Sequence, residues 1–472
     1  MVEKPNILFI VVDALRAENL SCYGYIKPTS PNIDELAKEG VLFENAYSCT
    51  NRTDPSFTSI FSGKYPVSHG IVHHGPDIKR EEVQAFNKTR TKLLSEILNL
   101  MGYNTMAIDW LGRWHRKGYN YYSEPEEVTP SLRGKALKYI TKLPYPIYST
   151  IRKTWRLMGF YHPSHPGESY TNLAIKLLKK NQKKNFFLLI HYWDAHTPFQ
   201  VPDYYTHKFY KRESDEKVKK MLKRIKDVEW REIVRRYHLM DIKYIDEILA
   251  RYDGAINFVD HMVGQLINFI KDEGLYDKTL IILTGDHGDD FVRDGIYIDH
   301  SGLYEPVIHI PLILAGGGIT RGKRINGFVQ HVDIVPTILD MLGVDIKNTS
   351  DFDGNSMLPL IYGRGGKIHS AVYSMDATAK WRFAIRANNY KYIYSPSKED
   401  SVTKYGIGIR DVIELYDLKR DPEETQNIIK EKPEVGKEME SQLLEWINKL
   451  EAKKERIMIK NKISRLRNLG KI

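Results

Sequence analysis

The sequence predicts an α/β protein with a large, mostly parallel sheet sandwiched by helices and a small C-terminal antiparallel sheet-plus-helix subdomain. Short apolar runs alternate with amphipathic stretches over most of the chain, as is typical of strands buried on both faces and the helices that cover them. From about residue 365 the pattern changes to a hairpin, one further strand and a long amphipathic helix. A chain of 472 residues is long enough for one large domain and a smaller one.

The elements of the large sheet follow from these patterns. A continuous apolar run at 6–13 ends on a carboxylate and predicts the first buried strand. Helices are predicted at 31–40 and 91–101, because both patterns end at a glycine. Three more apolar runs predict strands at 104–110, 185–191 and 279–284.

The last hundred residues predict a separate small sheet. Residues 381–394 read as a β-hairpin whose turn lies at Asn388 and Asn389. A further strand is predicted at 411–418 and an amphipathic helix at 433–450. We therefore expect a large domain at 1–364, an α+β subdomain at 365–450 and a basic helical tail at 451–472.

Two stretches near 131–165 and 207–246 are predicted to be helical insertions in the large domain. The first mixes aromatic with basic residues, a pattern that fits either a membrane-surface helix or a helix covering a core. The second interpretation is favoured, because such helices more often show a charged face to solvent. No apolar run approaches the ~20 residues that a spanning helix needs.

The charge and cysteine content restrict the class of partner. The chain has 70 basic and 60 acidic residues, and its net charge of +10 suits a small anionic substrate, although surface helices and the tail hold much of this excess. No nucleic-acid partner is expected, because no such motif is present. Cys22 and Cys49 cannot form a disulfide framework, and the N-terminal apolar run is too short for a signal peptide. These observations predict a cytoplasmic protein.

Metal-ligating side chains follow the predicted strands. Asp13 ends the first strand, and Asp286 and His287 come directly after the strand at 279–284. In parallel sheets the ligand site lies beyond the carboxyl ends of the strands, so these side chains are expected to converge. Carboxylate oxygens bind hard divalent ions, and an imidazole adds a preference for zinc or manganese.

The stretch TDPSFTSIFSG, which begins at Thr53, has the spacing of a sulfatase active-site signature. That pattern runs Cys or Ser, any residue, Pro, Ser, Arg, then a small hydroxyl residue and Gly. Thr53 replaces the residue that is oxidised to formylglycine, and Phe57 replaces the arginine. The remaining signature residues are in register: Pro55, Ser56, Ser62 and Gly63. With the motifs around Asp13 and Asp286, this sequence resembles the sulfatase family of the alkaline phosphatase superfamily over nearly the whole chain outside the insertions.

The resemblance implies a metal-dependent site without formylglycine. Thr53 would be the nucleophile, because an alcohol is a poor nucleophile at neutral pH until a metal stabilises its alkoxide. Ala14 stands where calcium-binding sulfatases usually carry a second Asp, so manganese or zinc is favoured over magnesium or calcium for the one divalent ion expected. The implied metal ligands are Asp13, Thr53, Asp286 and His287.

The resemblance also implies residues that contact the substrate. His196 would protonate the leaving oxygen or bind the transferred anion. His300 lies where sulfatases place a substrate lysine, and the alternative is a second metal held by Asp194, His196 and His300. Arg113 and His115 belong to a Gly-Arg-Trp-His sequence similar to the Gly-Lys-Trp-His motif of sulfatases, which binds the ester; coincidence is the alternative.

These residues predict a metal-dependent hydrolase of sulfuric or phosphoric (diester or phosphonate) esters that forms a covalent intermediate on Thr53. Replacement of the arginine by Phe57 and of the lysine by His300 weakens the cationic clamp, which favours a singly charged ester over a doubly charged one. Two alternatives remain: a phosphoryl-group transferase of the same superfamily, and an inactive binding or scaffold protein with this fold.

Overall fold

A computed structural model of the chain describes residues 4–89, 91–123, 166–199, 201–213, 215–224, 231, 242–291, 299–345, 352–401 and 411–468. The insertion predicted at 131–165 lies outside the described residues, and the insertion at 207–246 is described only in part. Within the described ranges, none of the helices combines the length and the apolar character that crossing a bilayer would require.

An eight-stranded sheet forms the centre of the large domain. Its spatial order is β4-β3-β5-β1-β6-β7-β2-β8. β1 pairs in parallel with β5 and β6, whereas β7 runs antiparallel to both of its neighbours. The prediction of a mostly parallel sheet is therefore confirmed. In chain order the strands are β1 Asn6–Val12, β2 Val41–Tyr47, β3 Asn104–Ile108, β4 Tyr121–Tyr122, β5 Phe186–Tyr192, β6 Thr279–Gly285, β7 Leu312–Gly316 and β8 Lys323–Gln330.

Helices cover both faces of this sheet, because alternate side chains of each buried strand point to opposite faces. Leu8 and Ile10 of β1 pack with residues of α1, α6 and α9, whereas Ile7 and Phe9 pack with residues of α2, α5 and α11. The helices of the described residues up to α11 are α1 Pro31–Lys38, α2 Thr53–Ser62, α3 Pro66–His69, α4 Arg80–Thr89, α5 Leu94–Leu100, α6 Pro166–Asn181, α7 Asp203–Lys208, α8 Val218–Leu222, α9 Ile245–Asp272, α10 Glu305–Ile308 and α11 Ile334–Met341.

The small C-terminal sheet is also confirmed. Its four antiparallel strands lie in the order β12-β11-β10-β9. The hairpin turns at Asn388, whose φ of 50° lies in the left-handed region that asparagine tolerates. The remaining elements are α12 Leu358–Ile361, β9 Ala371–Met375, β10 Phe383–Ala387, β11 Tyr390–Tyr394, α13 Lys398–Ser401, β12 Ile413–Asp417 and α14 Pro433–Asn468.

The sequence predicted a helix at 433–450 followed by a separate helical tail. In the structure both belong to one helix, α14. Met439, Leu443 and Ile447 recur on one face of α14 and pack on the small sheet, as the amphipathic pattern predicts. Beyond this face the helix continues without a break to residue 468. The small sheet lies close to the start of α2, since Met375 N donates to Cys49 O at 2.9 Å.

Candidate active site

The carboxyl ends of the central strands carry the predicted metal ligands. Asp13 follows β1, and Asp286 and His287 follow its neighbour β6. One ligating atom from each of the three residues lies within 4.8 Å of the others, and all three side chains are buried. His287 Nε2 lies 3.3 Å from Asp286 Oδ2 and 3.7 Å from Asp13 Oδ1.

The oxygens of this group fit a divalent cation. Both carboxylate oxygens of Asp13 and Oδ2 of Asp286 are buried without a hydrogen-bond partner. Burying such oxygens is costly unless a cation or a donor compensates them. Asp286 Oδ1 is already occupied, because Ala14 N and His287 N donate to it at 3.1 and 2.8 Å. The free oxygens therefore face one another as the ligands of a hard cation do.

The electrostatics of the group are consistent with this fit. Burial opposes the ionisation of Asp13, yet the imidazoles of His196, His191 and His287 hold the pKa of Asp13 below its usual range. Burial, and then the charge of Asp13, raise the pKa of Asp286. Burial lowers the pKa of His287 to about 4. His287 is thus neutral, and its Nδ1 lies 2.8 Å from Gly288 O, which leaves Nε2 available to a metal ion.

Thr53 is the first residue of α2, and its hydroxyl lies beside the group. The Oγ1 of Thr53 is 3.4 Å from His287 Nε2, and the residue is 2% exposed. Ser56, one turn further along α2, donates from Oγ to Asp286 O at 2.6 Å. Ser48 donates to the same carbonyl at 2.9 Å. These two hydrogen bonds fix the start of α2 against the loop that carries Asp286 and His287.

Phe57 occupies the position of the missing arginine and belongs to the core. Its ring is 1% exposed and lies 4.2 Å from the ring of His191 and 5.7 Å from that of Phe61. His191 donates from Nδ1 to Asp109 at 2.7 Å, and its Nε2 lies 3.7 Å from Asp13 Oδ2. The imidazole of His191 therefore lies directly behind a predicted metal ligand.

His196 and His300 lie beside this group, and each has a defined tautomer. His196 Nδ1 lies 2.7 Å from Thr197 O, and its ring stacks on Trp193 at 4.3 Å. His300 Nδ1 lies 2.6 Å from Asn51 O, and its Nε2 accepts from Arg52 Nη1 at 3.1 Å. Burial, and then the charge of Arg52, lower the pKa of His300 well below its usual value. His300 is neutral with both ring nitrogens engaged, which favours a positioning role over proton donation to a substrate.

Of the residues named for a second metal, His196 and His300 lie side by side with ring centroids 5.6 Å apart, but the three do not form a group at metal-binding spacing. Asp194 points to the start of α6, where Gly167 N donates to its Oδ1 at 3.2 Å, and burial raises the pKa of Asp194 to about 7. His300 Nε2 faces the guanidinium of Arg52, whose positive charge would repel a metal ion at this nitrogen. Over the described ranges, Asp13, Asp286 and His287 form the one group of three ligands at metal-binding spacing. The arrangement of Asp194, His196 and His300 thus gives no support to a second ion.

Arg113 and His115 contact a carboxylate that the sequence reasoning missed, Asp54, which directly follows Thr53. Arg113 Nη2 donates to Asp54 Oδ1 in a short hydrogen bond, and His115 Nε2 lies 3.3 Å from the same oxygen. On the other side, His74 Nδ1 lies 2.8 Å from Asp54 Oδ2, and Gly75 N donates to that oxygen at 2.8 Å. The carboxylate of Asp54 is fully buried. Burial by itself raises the pKa of Asp54, but His115 and His74 hold that pKa well below its usual range.

One further charged residue was missed, and another was placed near the site without a role. Arg52 directly precedes Thr53, and its guanidinium is paired with Asp299 at 3.0 Å beside His300. His191, the last residue of the strand predicted at 185–191 and the penultimate residue of β5, was placed at the carboxyl edge of the sheet, but its contact with Asp13 was not predicted. Its partner Asp109 lies 82 residues earlier and shows no local signal.

Comparisons with known proteins identify the family and several relatives of this chain. The family described as Sulfatase matches residues 5–344, and the family described as N-sulphoglucosamine sulphohydrolase, C-terminal, matches residues 294–453. The N-acetylglucosamine-6-O-sulfatase of Bacteroides thetaiotaomicron is 24% identical over 95% of this chain and 87% of its own length. The arylsulfatase of Clostridium perfringens is 25% identical over 90% of each chain.

A solved structure shares the whole fold. The phosphonate monoester hydrolase of Agrobacterium radiobacter superposes with a TM-score of 0.66 at 19% identity, covering 95% of this chain and 96% of that one. The first family match spans more than half of the chain and includes Asp13, Thr53, Asp286 and His287. The protein therefore belongs to the sulfatase family, a group of hydrolases with the alkaline phosphatase-like fold.

Proposed function

We propose that this protein is a metal-dependent hydrolase of sulfuric esters or of phosphoric diesters and phosphonates, with Thr53 as its nucleophile. The observation that carries the proposal is the position of the Thr53 hydroxyl, 3.4 Å from His287 Nε2, beside buried carboxylate oxygens that have no other partner. Asp13, Thr53, Asp286 and His287 would hold the divalent ion, with manganese or zinc favoured by the imidazole ligand. When bound, the ion supplies Lewis-acid stabilisation of negative charge on oxygen.

The side chains of this site have defined roles in a two-step reaction. Thr53 Oγ1 attacks the sulfur or phosphorus of the ester, a covalent ester forms on Thr53, and the alcohol of the substrate leaves. Water then cleaves the covalent ester and restores the threonine hydroxyl. His196, whose Nδ1 is held by Thr197 O, has Nε2 available to take up a proton and return it to the leaving oxygen.

The charge of the site supports a singly charged ester. Phe57 removes the arginine of the sulfatase signature, and Arg52 is already paired with Asp299. A sulfate ester, a phosphodiester and a phosphonate monoester each carry one negative charge at neutral pH, so each needs a weaker clamp than a phosphate monoester. The charge of the site therefore does not distinguish sulfate esters from phosphodiesters or phosphonate monoesters.

The test measures turnover of p-nitrophenyl sulfate, p-nitrophenyl phosphate and bis-p-nitrophenyl phosphate after metal removal and after return of Mn, Zn, Mg or Ca. We expect metal-dependent turnover of a singly charged ester, and a loss of roughly a thousandfold or more in kcat for Thr53→Ala. The matched control is Thr337→Ala, which removes a buried threonine hydroxyl that contacts Asp333 O and Met357 N outside the site. Absence of turnover with every ion, together with absence of bound metal, would refute the proposal and favour a binding protein with this fold.

A further inference from the structure

Asp54 is a buried carboxylate at an unusual place, directly after the nucleophile in the first turn of α2. Four groups surround its two oxygens. Arg113 and His115 contact Oδ1, and His74 and Gly75 N contact Oδ2. None of these partners comes from α2 itself, so the loops after α3 and β3 are folded onto this one carboxylate.

Asp54 changes what Arg113 can offer a substrate. The Arg113 side chain is 38% exposed, so part of the guanidinium remains accessible, but its charge is compensated by a carboxylate with no exposure. Arg52, on the other side of Thr53, is compensated in the same way by Asp299. An anion that binds beside Thr53 would therefore lie near two guanidinium groups, and each of these is already paired with a carboxylate.

The energetic consequence depends on the charge of the substrate. A singly charged ester can accept a hydrogen bond from a compensated guanidinium at little electrostatic cost. A dianion gains no further attraction there, and its second charge is repelled by Asp54 in a site of low dielectric constant. The same carboxylate thus penalises doubly charged substrates more than singly charged ones.

We propose that Asp54 sets the charge selectivity of the site, because its compensation of Arg113 excludes dianionic phosphate monoesters in favour of singly charged esters. This inference rests on the proposed ester hydrolysis at Thr53. Asp54 acts through Arg113 and is therefore a positioning and selectivity residue.

The experiment compares wild type with Asp54→Asn on p-nitrophenyl phosphate and bis-p-nitrophenyl phosphate at pH 8. At that pH the monoester is a dianion, because its second pKa is about 6. We expect the ratio of kcat/KM for the monoester to that for the diester to rise about tenfold or more in Asp54→Asn. An unchanged ratio in an active, folded variant would overturn the inference.

A second substitution identifies the cation responsible. If Asp54 acts by compensating Arg113, the double variant Asp54→Asn, Arg113→Met loses most of the gain, and the two effects are non-additive. Should Asp54→Asn fail to fold, Arg113→Met alone decides: it exposes the substrate to an undercompensated Asp54, so the dianion loses more of its kcat/KM than the monoanion. Equal losses for both substrates would contradict the inference.

The matched control is Glu82→Gln. Glu82 is another carboxylate that organises this loop, since Val72 N, His73 N and Lys79 N donate to it, but it has no contact with Arg113. Its removal changes the net charge by the same amount, and the selectivity ratio should stay within about twofold.

A binding measurement separates this inference from the proposed function. Inorganic sulfate and hydrogenphosphate at pH 8 are both dianions, so the monoanionic probe is methylphosphonate at pH 6, with hydrogenphosphate at pH 8 as the dianionic probe. In thermal-shift titrations we expect Asp54→Asn to gain at least tenfold in hydrogenphosphate affinity and less for the monoanion. If wild type shows no turnover, the proposed function fails, and these titrations still decide whether Asp54 excludes dianions; equal gains would refute it.

Discussion

Phe57 shows how a single residue can change the charge of an active site without leaving a gap. Its ring fills the space beside His191 and Phe61, where a guanidinium would have no counter-ion from α2. Positive charge comes instead from His191 of β5. Burial opposes its protonation, but the hydrogen bond to Asp109 and the nearby carboxylate of Asp13 raise the pKa of His191 to about 9. The imidazolium thus lies behind Asp13, and Phe57 is an integral part of the packing.

The first stability prediction concerns this position. Phe57→Arg should lower the free energy of unfolding by about 3–5 kcal/mol, because it buries a charged group next to the cationic His191. Phe57→Leu, the matched control, keeps an apolar side chain and should cost about 1–1.5 kcal/mol. Urea unfolding measures both. Equal stability of the two variants would show that the pocket accommodates a cation and that the packing argument is mistaken.

At the scale of elements, a buried carboxylate joins two helices on one face of the large sheet. Asp260 of α9 accepts hydrogen bonds from Ile33 N at 2.8 Å and Asn32 Nδ2 at 2.7 Å, in the first turn of α1. Burial nevertheless raises the pKa of Asp260 to about 6, and these hydrogen bonds only partly oppose that effect. The folded protein therefore binds a proton at Asp260 more tightly than the unfolded chain does.

This shift predicts a pH dependence with a definite sign. Between the unfolded pKa of 3.8 and the folded value of about 6, the folded state holds more protons, so the contribution of Asp260 to stability grows as pH falls from 6 to 4. Relative to Asp260→Asn, wild type should gain roughly 2–3 kcal/mol over that window. Urea unfolding at pH 4, 5, 6 and 7 measures the difference. Parallel stability curves for the two proteins would contradict the prediction.

The elements themselves were predictable to different degrees. Strands β1, β3, β5 and β6 were all found near their predicted ends, because strands buried on both faces must be continuously apolar. β8 was missed because its burial alternates irregularly along an edge strand with the sequence KRINGFVQ. β7 has only five residues and runs antiparallel to both of its neighbours.

At the scale of the whole molecule, buried ion pairs join the small sheet to the loop that follows His300. Lys391 Nζ of β11 lies 2.8 Å from Glu305 Oε1 and 2.7 Å from Glu424 Oε1, and its side chain has no exposure. Glu305 begins α10, five residues after His300. The C-terminal subdomain thus contributes to the active site through the position of this loop.

The corresponding prediction removes the shared cation. Lys391→Met removes the cation that Glu305 and Glu424 share, leaves Glu305 beside the more distant Arg386 Nε at 3.8 Å, and should cost about 3–5 kcal/mol in unfolding free energy. Addition of Glu424→Gln should recover part of this loss, since one buried charge is then removed. The matched control is Lys380→Met, whose side chain is 76% exposed in its pair with Asp400 and should cost no more than about 1 kcal/mol. Similar stabilities for Lys391→Met and Lys380→Met would show that the buried pairs do not hold the subdomain in place.

The sequence by itself determined the fold class, and it predicted the metal ligands and the nucleophile, because each is tied to a local pattern or motif. A carboxylate at the end of an apolar run, and a helix start with fixed spacing, mark Asp13, Asp286 and Thr53 without reference to distant residues. Only the tertiary structure decided which cationic side chain pairs with which carboxylate. Arg113 reaches Asp54 across 59 residues, and His191 reaches Asp109 across 82. Such pairing depends on distances of a few ångströms in space, and these are set by how β3, β5 and α2 pack together.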